Sequence, residues 1–231
     1  FQPTADHLAA LDHEIQGLIV ASPSNPAGTM LSRKELGAVY ACCRDNGIQL
    51  ISDEIYHGIT YGEAATTALA FGDEAIIVNS FSKYFSMTGW RIGFAVGNKG
   101  VLAGLGRVKS QLDSGVFEAV QAAGITALGL DDSVTDGLRK IYQERRDTLV
   151  PGLKKLGLEV DPPPAAFYIW VTVPKGYTSA SFTAHLLEKA GIVTTPGNGF
   201  GAPGEGYIRM TVCTTKERLA EAVERIKKAG F

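Results

Sequence analysis

Cysteine is scarce in this chain: three in 231 residues, two of them adjacent at Cys42 and Cys43 and the third at Cys213. Such a set cannot form a disulfide framework, and no CxxC or histidine spacing surrounds Cys213, so a reducing, cytoplasmic compartment is expected. Neither sign of charge is in excess. With 22 basic and 24 acidic residues the formal charge is −2, which leaves no electrostatic footprint for nucleic acid or for an anionic membrane surface. Long apolar runs are missing too: segments such as Gly17 to Ala21 and Ala75 to Val78 fall far short of the roughly 20 residues a bilayer span needs. The opening Phe1-Gln2-Pro3-Thr4 has neither the basic start nor the apolar stretch of a signal peptide. It also has no initiator Met, which suggests a processed chain or a fragment. These absences point to a small-molecule partner.

Apolar residues make up 45% of the chain, enough to fill a core in one large domain or two modest ones. The first half alternates short apolar runs with helical patterns: 17–21, then 32–46, then 48–52, then 75–79. That alternation predicts an α/β layer with buried strands. Ser32 followed by Glu35 reads as a capping box and Asn46-Gly47 as a stop, which bounds one helix at both ends. A strand is expected over 92–96 and helices near 101–112 and 117–128. Asp131-Asp132-Ser133 opens a longer charged helix reaching about Leu156, whose Arg139, Lys140, Glu144, Arg145 and Arg146 read as solvated. It is the expected connection between domains, placed at 1–130 and 131–231. Beyond it the pattern becomes α+β: strands over 166–173, 192–195 and 207–213, a helix near 179–190, and a final helix capped by Thr214 and Glu217.

Lys83 lies between an apolar strand and Gly89-Trp-Arg-Ile-Gly93. Alone it reads as a loop lysine in water. Its neighbours Ser80, Ser82 and Arg91 change that reading, because hydroxyls donate and arginine forks onto phosphate, so the loop has the groups needed to hold a phosphate dianion beside an amine. Asp53 follows the strand 48–52, at the carboxyl end where open α/β sheets bind ligands; as a structural residue it would be a helix cap or turn. Of the pair Asp53 and Glu54, Glu54 is expected to face solvent. Tyr56 reads either as core or as a hydroxyl turned to a cavity. Ser22-Pro-Ser-Asn-Pro-Ala-Gly-Thr29 reads as a Pro/Gly turn after the first strand. No histidine shows metal-ligand spacing.

Taken together, Asn25-Pro26-x-Gly28, Asp53-x-x-Tyr56, and Ser80-x-x-Lys83 with Arg91 eight residues on resemble the fold-type I aminotransferases, the aspartate aminotransferase superfamily. The resemblance covers nearly the whole chain. It implies a pyridoxal phosphate enzyme with part of the large α/β domain, a mostly parallel sheet flanked by helices, followed by a smaller α+β C-terminal domain. In that family Lys83 corresponds to the Schiff-base lysine and Asp53 to the partner of the pyridinium nitrogen. Asn25 and Tyr56 correspond to the groups at the phenolic oxygen, and Ser80, Ser82 and Arg91 to the phosphate clamp. Arg209, on the strand 207–212, corresponds to the arginine that takes the substrate α-carboxylate, with the Pro196–Gly201 loop beside the substrate. Taken alone, Arg209 reads as an exposed strand arginine. The roles are chemically coherent, since a neutral lysine attacks an aldehyde and a carboxylate keeps the ring nitrogen protonated.

Segments 108–121 and 174–179 resemble the LL-diaminopimelate branch, which exchanges an amino group between tetrahydrodipicolinate and glutamate. Broad-range alanine and aspartate aminotransferases share most of these motifs, and a lyase, a decarboxylase or a catalytically incomplete cofactor-binding fragment would use the same cofactor machinery. The resemblance further implies a homodimer acting on an amino acid and a 2-oxo acid. It also implies strands, a glycine-containing phosphate loop and a ring-stacking aromatic ahead of the matched region, so that an open sheet with exposed apolar surface is expected here.

Overall fold

The computed structural model describes residues 2–230. The chain divides into two compact units, Phe1–Pro23 with Thr29–Gly137, and Ser24–Gly28 with Leu138–Phe231.

In the first unit a short helix α1 (Ala5–Ala9) precedes β1 (Gly17–Ala21), α2 (Arg33–Asp45), β2 (Gln49–Asp53), β3 (Ile76–Ser80), the one-turn α3 (Phe81–Tyr84), β4 (Gly93–Gly97), α4 (Lys99–Leu112) and α5 (Glu118–Leu128). The four strands lie in the order β1-β2-β3-β4, with β1, β2 and β3 parallel and β4 antiparallel to β3. Helix α2 forms as its local signals require: the Ser32 hydroxyl accepts from the Glu35 N–H while the Glu35 carboxylate accepts from the Ser32 N–H. Its Leu36, Val39, Tyr40 and Cys43 pack with Val20, Leu50 and Ile77 of the sheet. Because side chains alternate along a strand, burying Leu50 and Ser52 on the α2 side turns Ile51 and Asp53 to the opposite face, and the register Asp53↔Val78 sends Ser80 to that face too. Apolar side chains stand exposed on this unit, among them Ile19, Phe94, Leu112 and Ile125.

Helix α6 (Asp132–Lys155) runs through the division between the units. The second unit continues with β5 (Tyr168–Thr172), α7 (Ser179–Ala190), β6 (Thr195–Pro196), β7 (Tyr207–Thr211) and α8 (Lys216–Lys228). Its sheet has the order β5-β7-β6 and is antiparallel. Leu149, Leu153, Ile169, Val171, Phe182, Leu186, Ile208 and Ile226 are fully buried here. At about 1.5–3 kcal/mol for each large apolar side chain removed from water, this set is the main stabilising contribution to the unit.

Three local expectations are corrected. Of the five charged residues on α6 expected in water, only Lys140 and Glu144 are exposed; Arg139, Arg145 and Arg146 are half-buried. Arg146 donates to the Pro163 carbonyl at 3.0 Å, and Arg145 lies near the Val212 carbonyl at 3.4 Å, because long cationic side chains lay their stems along the core and spend their donors on carbonyls left outside the helices and strands. The cap of α8 is Thr215, whose hydroxyl accepts from Arg218 N–H, one residue later than expected. The segment 192–194 is not a strand. Pairing to β7 begins only at Thr195↔Arg209 and runs two residues.

Candidate active site

The carboxyl ends of β2 and β3 are adjacent, and the residues of interest in the first unit leave the sheet there. Asp53 is the last residue of β2, half-buried; its Oδ1 accepts the Ile55 N–H at 3.1 Å and Oδ2 makes no hydrogen bond among the described residues. Tyr56 follows in the next turn and is buried. Gly58 comes two residues later, in the tightest approach of the region: a Cβ placed there would lie 2.0 Å from the Tyr84 ring. The turn carrying Asp53 and Tyr56 is thus packed against α3, the helix that carries Lys83 at the end of β3.

Ser80 caps α3, its hydroxyl accepting the Ser82 N–H at 3.1 Å. The Ser80 and Ser82 oxygens are 2.9 Å apart, and the Ser80 hydroxyl also reaches the Ile92 carbonyl at 3.1 Å. When Ser80 donates to Ser82, the Ser82 hydroxyl proton is left for another acceptor. Arg91 is exposed and left-handed at φ 53°, a conformation sparsely populated by residues other than glycine that costs about 1–3 kcal/mol. It donates once, to the Thr88 carbonyl at 2.9 Å. Four of its five N–H groups therefore remain for a ligand among the described residues. Two hydroxyls and a guanidinium suit a phosphate, and a carboxylate with one uncommitted oxygen suits a protonated ring nitrogen, so these residues fit pyridoxal phosphate.

Glu54 is the site residue that sequence reasoning placed wrongly. It is buried, not solvent-facing: one oxygen accepts from the Ser52 hydroxyl (3.0 Å), the Thr67 hydroxyl (3.1 Å) and the Ala68 N–H (2.8 Å), and the other lies 3.6 Å from His57 Nδ1. A buried carboxylate needs such donors, and two of the three, at Thr67 and Ala68, come from thirteen and fourteen residues away, where local pattern does not reveal them.

The second unit holds Asn25 and Arg209 together. The burial alternation of β5 and β7 sends Ile169, Val171, Ile208 and Met210 into the core and leaves Tyr168, Trp170, Tyr207 and Arg209 on the other face. The turn 24–28 lies against 163–168, where a Cβ on Gly28 (φ 68°) would come within 2.7 Å of Pro163 and 3.0 Å of the Ala165 carbonyl. That approach places Asn25 Oδ1 2.6 Å from Arg209 Nη1. Since a guanidinium only donates, the amide oxygen must face it, which turns the Asn25 NH2 elsewhere. Arg209 also reaches Thr195 Oγ1 at 3.4 Å and lies over the Tyr168 and Phe200 rings at 4.3 and 4.7 Å. Neither Tyr168 nor Phe200 was singled out from the sequence, although Phe200 lies in the Pro196–Gly201 loop that the resemblance places beside the substrate. Among the described residues no group of His, Cys, Asp and Glu could hold a metal, and no helix is long and apolar enough to cross a membrane.

A mostly parallel α/β layer carries an amine, a carboxylate, two hydroxyls and a guanidinium beyond its strand ends. The pattern of the family "Aminotransferase class I and II" matches residues 1–226, and the chain belongs to that family, whose members work with pyridoxal phosphate. The LL-diaminopimelate aminotransferase of Syntrophobacter fumaroxidans is 44% identical over 238 residues, covering 100% of this chain and 61% of the relative. That of Aquifex aeolicus is 44% identical over 209 residues, covering 89% of this chain and 54% of the relative. The chain therefore spans a little over half the length of these curated relatives. Among solved structures, an aromatic aminotransferase from Pyrococcus horikoshii superposes with a TM-score of 0.93 at 32% identity, over 98% of this chain and 63% of that one. A Thermus thermophilus aspartate aminotransferase variant gives 0.92 at 31% identity, over 98% and 60%. These neighbours share the mixed α/β fold with a mostly parallel sheet.

Proposed function

We propose that the protein of which this chain is all or part is a pyridoxal phosphate-dependent aminotransferase moving an amino group between an amino acid and a 2-oxo acid. The observation that carries the reading is the convergence of Asp53 and the Ser80–Lys83 segment at the carboxyl ends of adjacent strands β2 and β3. When bound, the cofactor supplies an aldehyde to take the amino group and a protonated ring to accept the electrons released from the substrate α-carbon.

The chain's residues supply the rest. Lys83 would hold the group through its amine, and its free Nζ would take the proton from the substrate α-carbon and return one in the reverse half-reaction. Asp53, whose Oδ2 Ile55 leaves uncommitted, would accept from the ring N–H and keep that nitrogen protonated. The Tyr56 hydroxyl and the Asn25 NH2 serve the phenolic oxygen. Ser80, Ser82 and Arg91 bind the phosphate, orienting the group without taking part in proton transfer. Arg209 binds the substrate α-carboxylate in the planar geometry that arginine suits, which retains that carboxylate and favours amino transfer over decarboxylation.

The names of the curated relatives support LL-diaminopimelate as one of the pair exchanged, in lysine biosynthesis; we propose 2-oxoglutarate as the other, with a homodimer in the cytoplasm as the working form. The test is a panel of amino donors and 2-oxo acceptors, including this pair, run on the wild type and on Lys83→Ala with added pyridoxal phosphate. Transfer that vanishes in the variant is expected. Transfer that survives unchanged, or carbon dioxide released in place of transfer, would overturn the reading.

A further inference from the structure

Arg209 is placed more tightly than a carboxylate-binding arginine requires for charge alone. Its guanidinium carbon stands 4.3 Å from the Tyr168 ring centroid and 4.7 Å from that of Phe200. The rings reach it from different parts of the unit. Tyr168 lies on β5, two residues from Trp170, the strand partner of Arg209. Phe200 ends the turn Gly197–Phe200 that follows β6. Trp170 backs the arrangement, stacked on Tyr207 at 5.4 Å and 16° and edge-on to Phe200 at 5.8 Å. Tyr168 in turn has the Phe167 ring at 4.9 Å, so both rings rest against further structure.

We propose that Tyr168 and Phe200 are positioning residues that clamp the plane of the Arg209 guanidinium, so that its N–H edge is presented ready-oriented to the carboxylate of an amino acid or 2-oxo acid. The proposal rests on the reading of Arg209 as the carboxylate-binding residue. A guanidinium is weakly hydrated on its faces and strongly so at its edge. Rings on its faces displace little bound water and cost the edge no donor. Of the five N–H groups, one is directed to Asn25 and one to Thr195, so three remain among the described residues. A carboxylate needs two. Fixing the plane beforehand removes the rotamer freedom that binding would otherwise have to freeze, which raises affinity without adding a contact to the ligand. Asn25 and Thr195 do not do this alone, because the Thr195 contact at 3.4 Å is too long to hold the plane firmly about the Nη1 bond.

The test uses nitrogen-15-labelled protein and two readouts, neither of which depends on turnover. The first is the Nε–H resonance of Arg209, assigned by its loss in Arg209→Lys. Ring currents from the two aromatics should displace it from the ordinary arginine position. It should move back toward that position in Tyr168→Leu and in Phe200→Leu, and stay displaced in Tyr168→Phe, which keeps the ring. The second is the Kd of glutarate, a carboxylate probe without an amino group. Each leucine variant should weaken glutarate binding about 3–10-fold, as the loss of one cation–π contact implies, while Tyr168→Phe binds as the wild type does. Phe200 sits exposed in a turn, so its variant keeps the test valid if Tyr168→Leu fails to fold. A resonance at the ordinary position in the wild type overturns the clamp. So does a glutarate Kd that depends on Arg209 but on neither ring. A displaced resonance combined with glutarate binding that is absent, or indifferent to Arg209→Lys, overturns instead the carboxylate role assigned to Arg209.

Discussion

Replacing Glu54 should unfasten the strand end that carries Asp53, and the size of the effect follows from the atoms involved. In Glu54→Ala the Ser52 hydroxyl and the Ala68 N–H, both belonging to buried residues, lose their acceptor, while the Thr67 hydroxyl can turn toward water. A buried donor left unpaired costs about 1–3 kcal/mol, so the two together cost about 2–6 kcal/mol before any water enters the space. We expect about 3 kcal/mol. Glu54→Gln keeps an amide oxygen for the same donors and loses only the charge facing His57 Nδ1 at 3.6 Å, so its cost should be about 1 kcal/mol. Native-state hydrogen exchange is the suitable assay, because the Glu54 N–H bonds the Val78 carbonyl at 2.9 Å and neighbouring β2 amides report on opening of this unit alone. Protection in β2 should fall steeply in the alanine variant and slightly in the glutamine variant. Equal protection in both, within about 0.5 kcal/mol of wild type, would refute the argument that this carboxylate organises the turn.

Three further outcomes are expected. Gly58→Ala drives a methyl into the Tyr84 ring and should destabilise the first unit by about 1–3 kcal/mol, read by urea unfolding; an unchanged midpoint contradicts the close approach. Burial pushes the Cys43 thiol up to about 11, so at pH 8 it is protonated and slow to alkylate, and iodoacetamide should label exposed Cys213 first and Cys43 only on unfolding. The Ser179 N–H holds the Glu205 carboxyl below its ordinary 4.5, and the Ser32 hydroxyl does the same for Glu35. Groups whose folded pKa is lowered stabilise above their unfolded pKa and lose that contribution as pH falls through the folded value. Stability should therefore decline below about pH 4.5, less steeply in Glu205→Gln, and a pH-independent difference between the two proteins would contradict this.

Local chemistry was legible in the sequence; long-range partnership was not. The Ser32–Glu35 box and the stop at Asn46-Gly47 lie within one turn of the atoms they serve, so spacing alone located α2. Strands β5 and β7 likewise fall inside the ranges expected from their apolar runs, 166–173 and 207–213. The strand expected over 192–195 begins three residues too early, because the two residues of β6 carry no period and their pairing is set by β7. Glu54 escaped because an acidic residue after a strand ordinarily faces water, and its donors at Thr67 and Ala68 arrive by tertiary folding. The contact between Asn25 and Arg209 joins residues 184 apart. The motifs named both residues but could not show that the amide oxygen is spent on the guanidinium. The two rings over Arg209 were invisible for the same reason, since Phe200 reaches it from a separate turn.

The most direct measurement is to incubate the protein with pyridoxal phosphate, reduce it with borohydride and map the added mass by peptide mass spectrometry. The account predicts a single phosphopyridoxyl group on Lys83, its amount falling when Asp53 or Arg91 is replaced by alanine. Mass carried by other lysines in proportion to their exposure, with Lys83 unmodified, would contradict it.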